Sequence, residues 1–108
     1  MVIPVPRIQA PSAAAKGELF QVKAIISHPM ETGLRHDEQG KPIPRLIINT
    51  FSCLYNDEIV FSVELHEAVA ANPYFEFTVR VDESGTFAFA WTDDNGTVTT
   101  AEQSITVT

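Results

Sequence analysis

The chain has 108 residues, 44% of them hydrophobic, and its seven basic and fourteen acidic side chains give a net charge of −7 at pH 7. This length suits a single domain, 1–108, with a packed core. The acidic balance argues against nucleic acid or an anionic membrane surface as the partner.

The charge is unevenly distributed along the chain. Residues 1–45 contain six basic and four acidic side chains, whereas residues 46–108 contain only Arg80 against ten acids. The N-terminal part therefore carries about +2 and the rest about −9. No basic start precedes an apolar run, and no stretch of about 18 apolar residues occurs, so we expect neither a signal peptide nor a membrane span.

Two-residue alternation of apolar and polar side chains dominates the sequence, and Gly, Pro, Asn and Asp separate the alternating runs. This pattern predicts short strands, and about seven of them at this spacing predict an all-β fold, an immunoglobulin-like or fibronectin-like antiparallel β-sandwich. The connection 28–43 is long and polar, and the connection 66–73 could hold a short helical turn. The predicted strands are 5–9, 18–27, 44–55, 58–65, 75–81, 86–92 and 97–107.

Two of the predicted strands lack a polar face. In 44–55 both alternating sets of side chains are largely apolar, and in 86–92 the outward positions are Ala88 and Ala90. In an immunoglobulin-like fold these strands would be neighbours, so their outer faces would form one apolar patch. Such a patch either binds a partner protein or is covered by the connection 28–43. For 58–65 we expect Ile59, Phe61, Val63 and Leu65 to point to the same side of the strand.

No motif typical of nucleotide binding, hydrolysis or zinc proteases is present. His28 and His36 share a connection with Asp37 and Glu38, but their eight-residue gap matches no tight metal-ligand motif. We therefore predict no catalytic residue, no metal ligand and no cofactor. Two alternatives stay open: a metal-dependent enzyme that uses the loop from His28 to Asp37, and a structural or adhesion sandwich that self-associates.

Two further features have structural interpretations. Cys53 is the only cysteine and lies within a predicted strand, where a free thiol usually behaves as a small buried apolar group. It cannot form an internal disulfide, so the cysteine count leaves the compartment open. The run 93–96, Asp-Asp-Asn-Gly, is more typical of a hairpin turn than of a calcium loop, because no bidentate glutamate follows it.

Nearly the whole chain resembles one protein family. The segments 26–33 (Ile-Ser-His-Pro-Met-Glu-Thr-Gly), 43–49 (Ile-Pro-Arg-Leu-Ile-Ile-Asn) and 91–97 (Trp-Thr-Asp-Asp-Asn-Gly-Thr) resemble the SoxZ proteins of bacterial sulfur oxidation. The resemblance implies an immunoglobulin-like subunit that pairs with SoxY, whose cysteine near a glycine-rich C-terminal arm carries the sulfur intermediates of thiosulfate oxidation. It also implies transient contact with other Sox enzymes and a periplasmic location, reached by export together with a signal-bearing SoxY.

The resemblance does not extend the carrier role to this chain, because 104–108, Ser-Ile-Thr-Val-Thr, contains neither cysteine nor glycine. We expect it to be the non-carrying subunit. The candidate contacts with the partner or its arm surround the long connection, where they could accept an anionic sulfur group, or lie on the apolar face. They are His28, Met30, Arg35, Arg45, Ala88 and Ala90.

Overall fold

A computed structural model of the chain describes residues 5–27, 33–66 and 73–108. The described residues form eight strands and no helix, and none of these segments could cross a membrane as a helix. The suggested helical turn in 66–73 lies almost entirely outside them. The strands are β1 Val5–Gln9, β2 Ala13–Ala14, β3 Leu19–Ser27, β4 Ile48–Tyr55, β5 Glu58–Glu64, β6 Tyr74–Arg80, β7 Gly85–Asp93 and β8 Val98–Val107.

The strands form a sandwich of two sheets, which confirms the predicted immunoglobulin-like fold. One sheet has the order β1-β3-β6 and the other β2-β8-β7-β4-β5. All pairings are antiparallel except that of β2 with the end of β8. The two-residue strand β2 is the one that alternation could not predict, because it is too short to show a period. The expected pairing of β4 with β7 is present.

The core lies between the sheets and follows the alternation of the sequence. In β3 the buried positions alternate with outward ones, and in β7 Phe87, Phe89 and Trp91 are almost fully buried. Aromatic rings cross the gap between the sheets: Phe51 of β4 stacks on Phe75 of β6 with centroids 4.6 Å apart. Burial of large apolar side chains is the main stabilising term of such a domain.

The strand predicted over 44–55 starts later than expected, at Ile48. The preceding residues are engaged elsewhere, because residues 33–45 fold back on themselves as a second, smaller hairpin. The Ile43 amide donates to the Arg35 carbonyl at 2.9 Å, and the Asp37 amide donates to the Lys41 carbonyl at 2.9 Å. We call residues 33–45 the loop hairpin. Its side chains are mostly exposed.

The prediction that Ile59 points to the same side of the strand as Phe61 is wrong. A register shift between Cys53 and Leu54 places Ile59 opposite Leu54, while Phe61 stays opposite Cys53. One residue of β5, Val60, is therefore extra at this point, as in a β-bulge, and the side-chain alternation restarts after it. Ile59 is 70% exposed as a result, and it joins the outer face of the sheet.

A close contact connects the β4–β5 turn to the start of β7. Asn56 has a φ of 48°, and its side-chain oxygen accepts a hydrogen bond from the Thr86 amide at 3.1 Å. Its side chain occupies the space beside Gly85, where an added Cβ would lie 2.1 Å from Asn56 Oδ1. Gly85 is therefore required by the approach of Asn56.

We expect Gly85→Ala to lower the free energy of unfolding by about 1–3 kcal/mol, because the methyl group displaces the Asn56 side chain from its hydrogen bonds. Urea denaturation measures the effect. Asn56→Gly keeps the positive φ accessible and removes the clashing atoms, so Gly85→Ala should cost much less in an Asn56→Gly background. If Gly85→Ala lowers the free energy of unfolding equally in the two backgrounds, the clash between the added methyl group and the Asn56 side chain is relieved in another way.

Candidate partner-binding site

The outer face of the five-stranded sheet brings the two predicted alanines together with other apolar groups. Leu54 lies opposite Ala88 on one side and Ile59 on the other, and Ala90 lies one row away opposite Ser52. Ala88 and Ala90 are partly exposed, and their small side chains allow another protein to approach the strand closely. We call Leu54, Ile59, Ala88 and Ala90 the alanine face.

The alanine face contains fewer apolar residues than the patch predicted from strands 44–55 and 86–92. The register of β4 shifts between Ile48 and Thr50, and Ile48 is 2% exposed, so it contributes to the core instead of the outer surface. The next outward positions of β4, Thr50 and Ser52, are polar but uncharged. Glu64 and Glu102 lie at the edges of the face. The result is an apolar centre within a polar rim, an arrangement typical of protein interfaces.

A second group of residues joins the loop hairpin to the sandwich. Asp94 accepts hydrogen bonds from Arg45 Nε at 2.8 Å, Arg45 Nη2 at 3.0 Å, Asn49 Nδ2 at 3.0 Å and the Ile47 amide at 3.1 Å. The Asp94 amide in turn donates to the Ile47 carbonyl at 3.0 Å. We call Arg45, Ile47, Asn49 and Asp94 the Asp94 cluster. It fixes the end of the loop hairpin beside the β7–β8 turn.

The Asp94 carboxylate is only 14% exposed. Burial opposes its ionisation, but the hydrogen bonds from Asn49, Arg45 and the Ile47 amide, with the charge of Arg45, outweigh burial and lower the pKa of Asp94. The carboxylate is therefore ionised at neutral pH. It serves as an acceptor that orients its neighbours, and it holds no proton to donate.

Asp94 was missed as a functional residue by the sequence analysis, which assigned 93–96 to a turn. Asp93 fills the turn role: its side-chain oxygen accepts from the amides of Asn95 and Thr97 at 2.9 and 3.0 Å. The sequence did indicate that Asp94 has a role outside the turn, because a hairpin turn needs one such acidic side chain and the sequence has two in succession.

The loop candidates occupy different places. Arg45 belongs to the Asp94 cluster, and Arg35 is exposed on the first arm of the loop hairpin. His28 and Met30 lie outside the described residues. Beside the cluster, a groove of about 370 Å³ brings His66 and Glu64 near Arg45. The contacts of these residues with a partner stay a prediction.

Neither a metal site nor a reactive thiol emerges from the described segments. Within them, no three His, Cys, Asp or Glu side chains come together as a metal site requires. Cys53 is fully buried on the inner face of β4, as expected of a small apolar group. Burial raises the pKa of its thiol to about 12, so the nucleophilic thiolate is scarce at neutral pH.

Comparisons with known proteins agree with this fold. A family model described as "Sulphur oxidation protein SoxZ" matches residues 8–104. A solved structure of SoxY, a sulfur carrier protein from Chlorobium limicola f thiosulfatophilum, is 18% identical with a TM-score of 0.66, and the match covers 95% of this chain and 78% of that one. A comparison with curated proteins found no significant match.

Two other solved structures are similar. A superoxide reductase (neelaredoxin) from Ignicoccus hospitalis has 20% identity, a TM-score of 0.74, and coverage of 95% of this chain and 80% of that one. A CARDB domain from Pyrococcus furiosus has 12% identity, a TM-score of 0.54, and coverage of 98% of both chains. At these identities the likeness shows a shared fold and carries no chemistry over to this chain.

We expect Asp94→Ala to lower the free energy of unfolding by roughly 2 kcal/mol, because it leaves the partly buried donors of Asn49 and Ile47 unsatisfied. Asp82→Ala, at an exposed turn position, is the matched control and should change little. Urea denaturation of both variants measures the difference. Equal effects would show that the Asp94 cluster contributes no special stability.

The same carboxylate predicts a pH dependence. Since the pKa of Asp94 is lowered in the folded protein, its ionisation stabilises the fold above about pH 4, and this contribution is lost as pH falls through the lowered pKa. The stability difference between wild type and Asp94→Asn should therefore be constant from pH 5 to 7 and shrink below pH 4. A difference that grows with acidity contradicts the assignment.

We expect a water-soluble disulfide reagent to modify Cys53 at least a hundredfold more slowly in the native protein than in urea, because the thiol is buried and protonated. A thiol at exposed position 62, made as Ser62→Cys in a Cys53→Ala background, is the control for accessibility and should react at once. Rapid native modification of Cys53 would show that the sandwich opens readily.

Proposed function

The chain belongs to the SoxZ family of sulphur oxidation proteins, and we propose that it is the non-catalytic subunit of a periplasmic sulfur carrier complex. In this role it binds SoxY and helps to present the cysteine-bound sulfur intermediates of SoxY to thiosulfate-oxidising enzymes. The family match over residues 8–104 is the observation that carries the proposal, since it runs from within β1 to within β8 and contains the six strands between them.

The division of roles is consistent with the chemistry of this chain. A carrier needs an accessible thiolate, and the only cysteine here has a buried, protonated thiol. The sulfur-carrying cysteine is therefore expected on SoxY, and this chain supplies surfaces instead of a nucleophile. A periplasmic location follows from the same proposal, because a signal-bearing SoxY would bring its bound partner through the membrane.

We propose that SoxY docks on the alanine face. Leu54 and Ile59 provide apolar area, while Ala88 and Ala90 permit close approach of another backbone. The adjoining side chains of Thr50 and Ser52 can replace their hydrogen bonds to water with hydrogen bonds to a partner. Because SoxY from Chlorobium limicola has a similar fold, two sandwiches can pack face to face over such a surface.

Co-expression tests the partnership and the location together. The chain, produced with its cognate, signal-bearing SoxY, should be recovered from the periplasmic fraction and should co-elute with SoxY in gel filtration. Produced alone, it should remain in the cytoplasm. Separate elution of the two chains would refute the partnership, and recovery of the lone chain from the periplasm would refute joint export.

The alanine face makes a sharper prediction. Ala90→Glu and Ala90→Lys should each weaken SoxY binding at least tenfold, about 1.4 kcal/mol, because either charge is desolvated against an apolar surface. Thr78→Glu, on the outer face of the other sheet, is the control and should bind normally. Isothermal titration calorimetry gives the affinities, and circular dichroism confirms folding. If only one sign of charge weakens binding, the contact is electrostatic and the apolar assignment fails.

A further inference from the structure

The two sheets of the sandwich carry opposite charge. The strands of the five-stranded sheet contain no Lys or Arg, and they contain four acidic residues: Glu58, Glu64, Asp93 and Glu102. The strands of the three-stranded sheet carry three basic residues against one acid: Arg7, Lys23 and Arg80 against Glu76. A chain of net charge −7 therefore has one sheet of net charge +2 and another of −4.

These basic side chains share the outer surface of the three-stranded sheet. Arg7 and Lys23 alternate with the inward residues Ile8, Val22 and Ala24, which pack on the core. The strand register places Arg7, Ile25 and Tyr74 in one row across the sheet. The next row is Gln9, Lys23 and Glu76. We call this surface the basic face.

The basic face also has a groove and exposed apolar groups. A groove of about 350 Å³ lies along β1 and β3 between Arg7 and Tyr74, with Ile25 between them. Tyr74 is 49% exposed, and Val5 and Leu19, at opposite ends of the face, are 55% and 67% exposed. The Tyr74 hydroxyl donates to Glu76 at 2.8 Å, which holds the ring beside the groove. Tyr and Arg next to aliphatic side chains are the composition of interface centres.

We propose that the basic face is a second docking surface and that its occupant is an acidic patch on a protein other than SoxY. Charge complementarity favours an acidic partner. A protein partner is favoured over an extended polyanion because the two differ in how far they extend across the surface of the chain. Within the Debye length, about 10 Å at 0.1 M salt, a local acidic patch meets only the +2 face, whereas a membrane or nucleic acid extends past that face and is repelled by the remaining surface of a chain whose net charge is −7.

This surface is independent of the alanine face. The two outer faces lie on opposite sides of the sandwich, since each sheet turns its other face to the shared core. A partner on the basic face and SoxY on the alanine face can therefore be bound at the same time. The chain then acts as an adaptor that holds SoxY on one side and receives a second protein on the other.

The test uses a synthetic eight-residue peptide of alternating glutamate and valine, titrated into the ¹⁵N-labelled protein at 20 mM and 200 mM salt. We expect saturable amide shift changes confined to β1, β3 and β6, and weaker binding at the higher salt. Arg7→Gln with Lys23→Gln should weaken binding at least tenfold. Lys16→Gln with Lys41→Gln removes the same charge elsewhere and should bind like wild type, as should Ala90→Glu.

Several outcomes overturn the proposal. The basic face is not the site if the peptide fails to bind, or if the shifts map to the loop hairpin. Charge complementarity fails if a peptide with lysine in place of glutamate binds equally well. A membrane is the occupant if vesicles containing phosphatidylglycerol sediment the wild type but not the Arg7→Gln, Lys23→Gln variant. A second copy is the occupant if the protein self-associates in light scattering and the same double variant does not.

Discussion

The stacking of Phe51 on Phe75 is the contact on which the sandwich depends. The chain has one cysteine, so no disulfide can join its sheets, and the connection must come from packing. Phe51 lies parallel to Phe75 of the opposite sheet at 4.6 Å, and within its own sheet it contacts Phe61, Phe89 and Trp91. Phe20 and Phe87 form a second crossing, edge to face, at 6.2 Å.

The aromatic interior explains why the strands were predictable and the bulge was not. Alternation in a strand reflects which side chains this interior accepts, so the inward faces of β3, β6 and β7 can be inferred from local sequence. The bulge at Val60 breaks that inference because it is a property of the pairing between β4 and β5. In 58–65 every second residue is apolar from Ile59 onward, and nothing local shows that the pattern is offset by one position. β2 escaped prediction for a related reason, since its two residues gain their structure from β8 alone.

The Asp94 cluster shows the same limit at the candidate site. Arg45 was chosen as a contact because it flanks a long loop and carries charge, which is local information. Its bond to Asp94 joins residues 49 positions apart, and it could be inferred only after β4 was placed beside β7. The loop hairpin depends on a local feature as well, because the Asp37 side chain accepts from the amides of Gln39 and Lys41 and closes its turn. Long-range and local acceptors together give a polar loop a defined conformation.

The ion pair also changes what Arg45 can contribute to a carrier complex. A bidentate carboxylate compensates the guanidinium charge, so an anionic sulfur group that approaches Arg45 must compete with Asp94 for the same donors. Competition of this kind gives little net attraction at equilibrium, because one charge-assisted hydrogen bond replaces another. The two proposed docking surfaces are therefore the two sheet faces, one apolar with an acidic rim and one basic. The Asp94 cluster then sets where the loop hairpin lies relative to them.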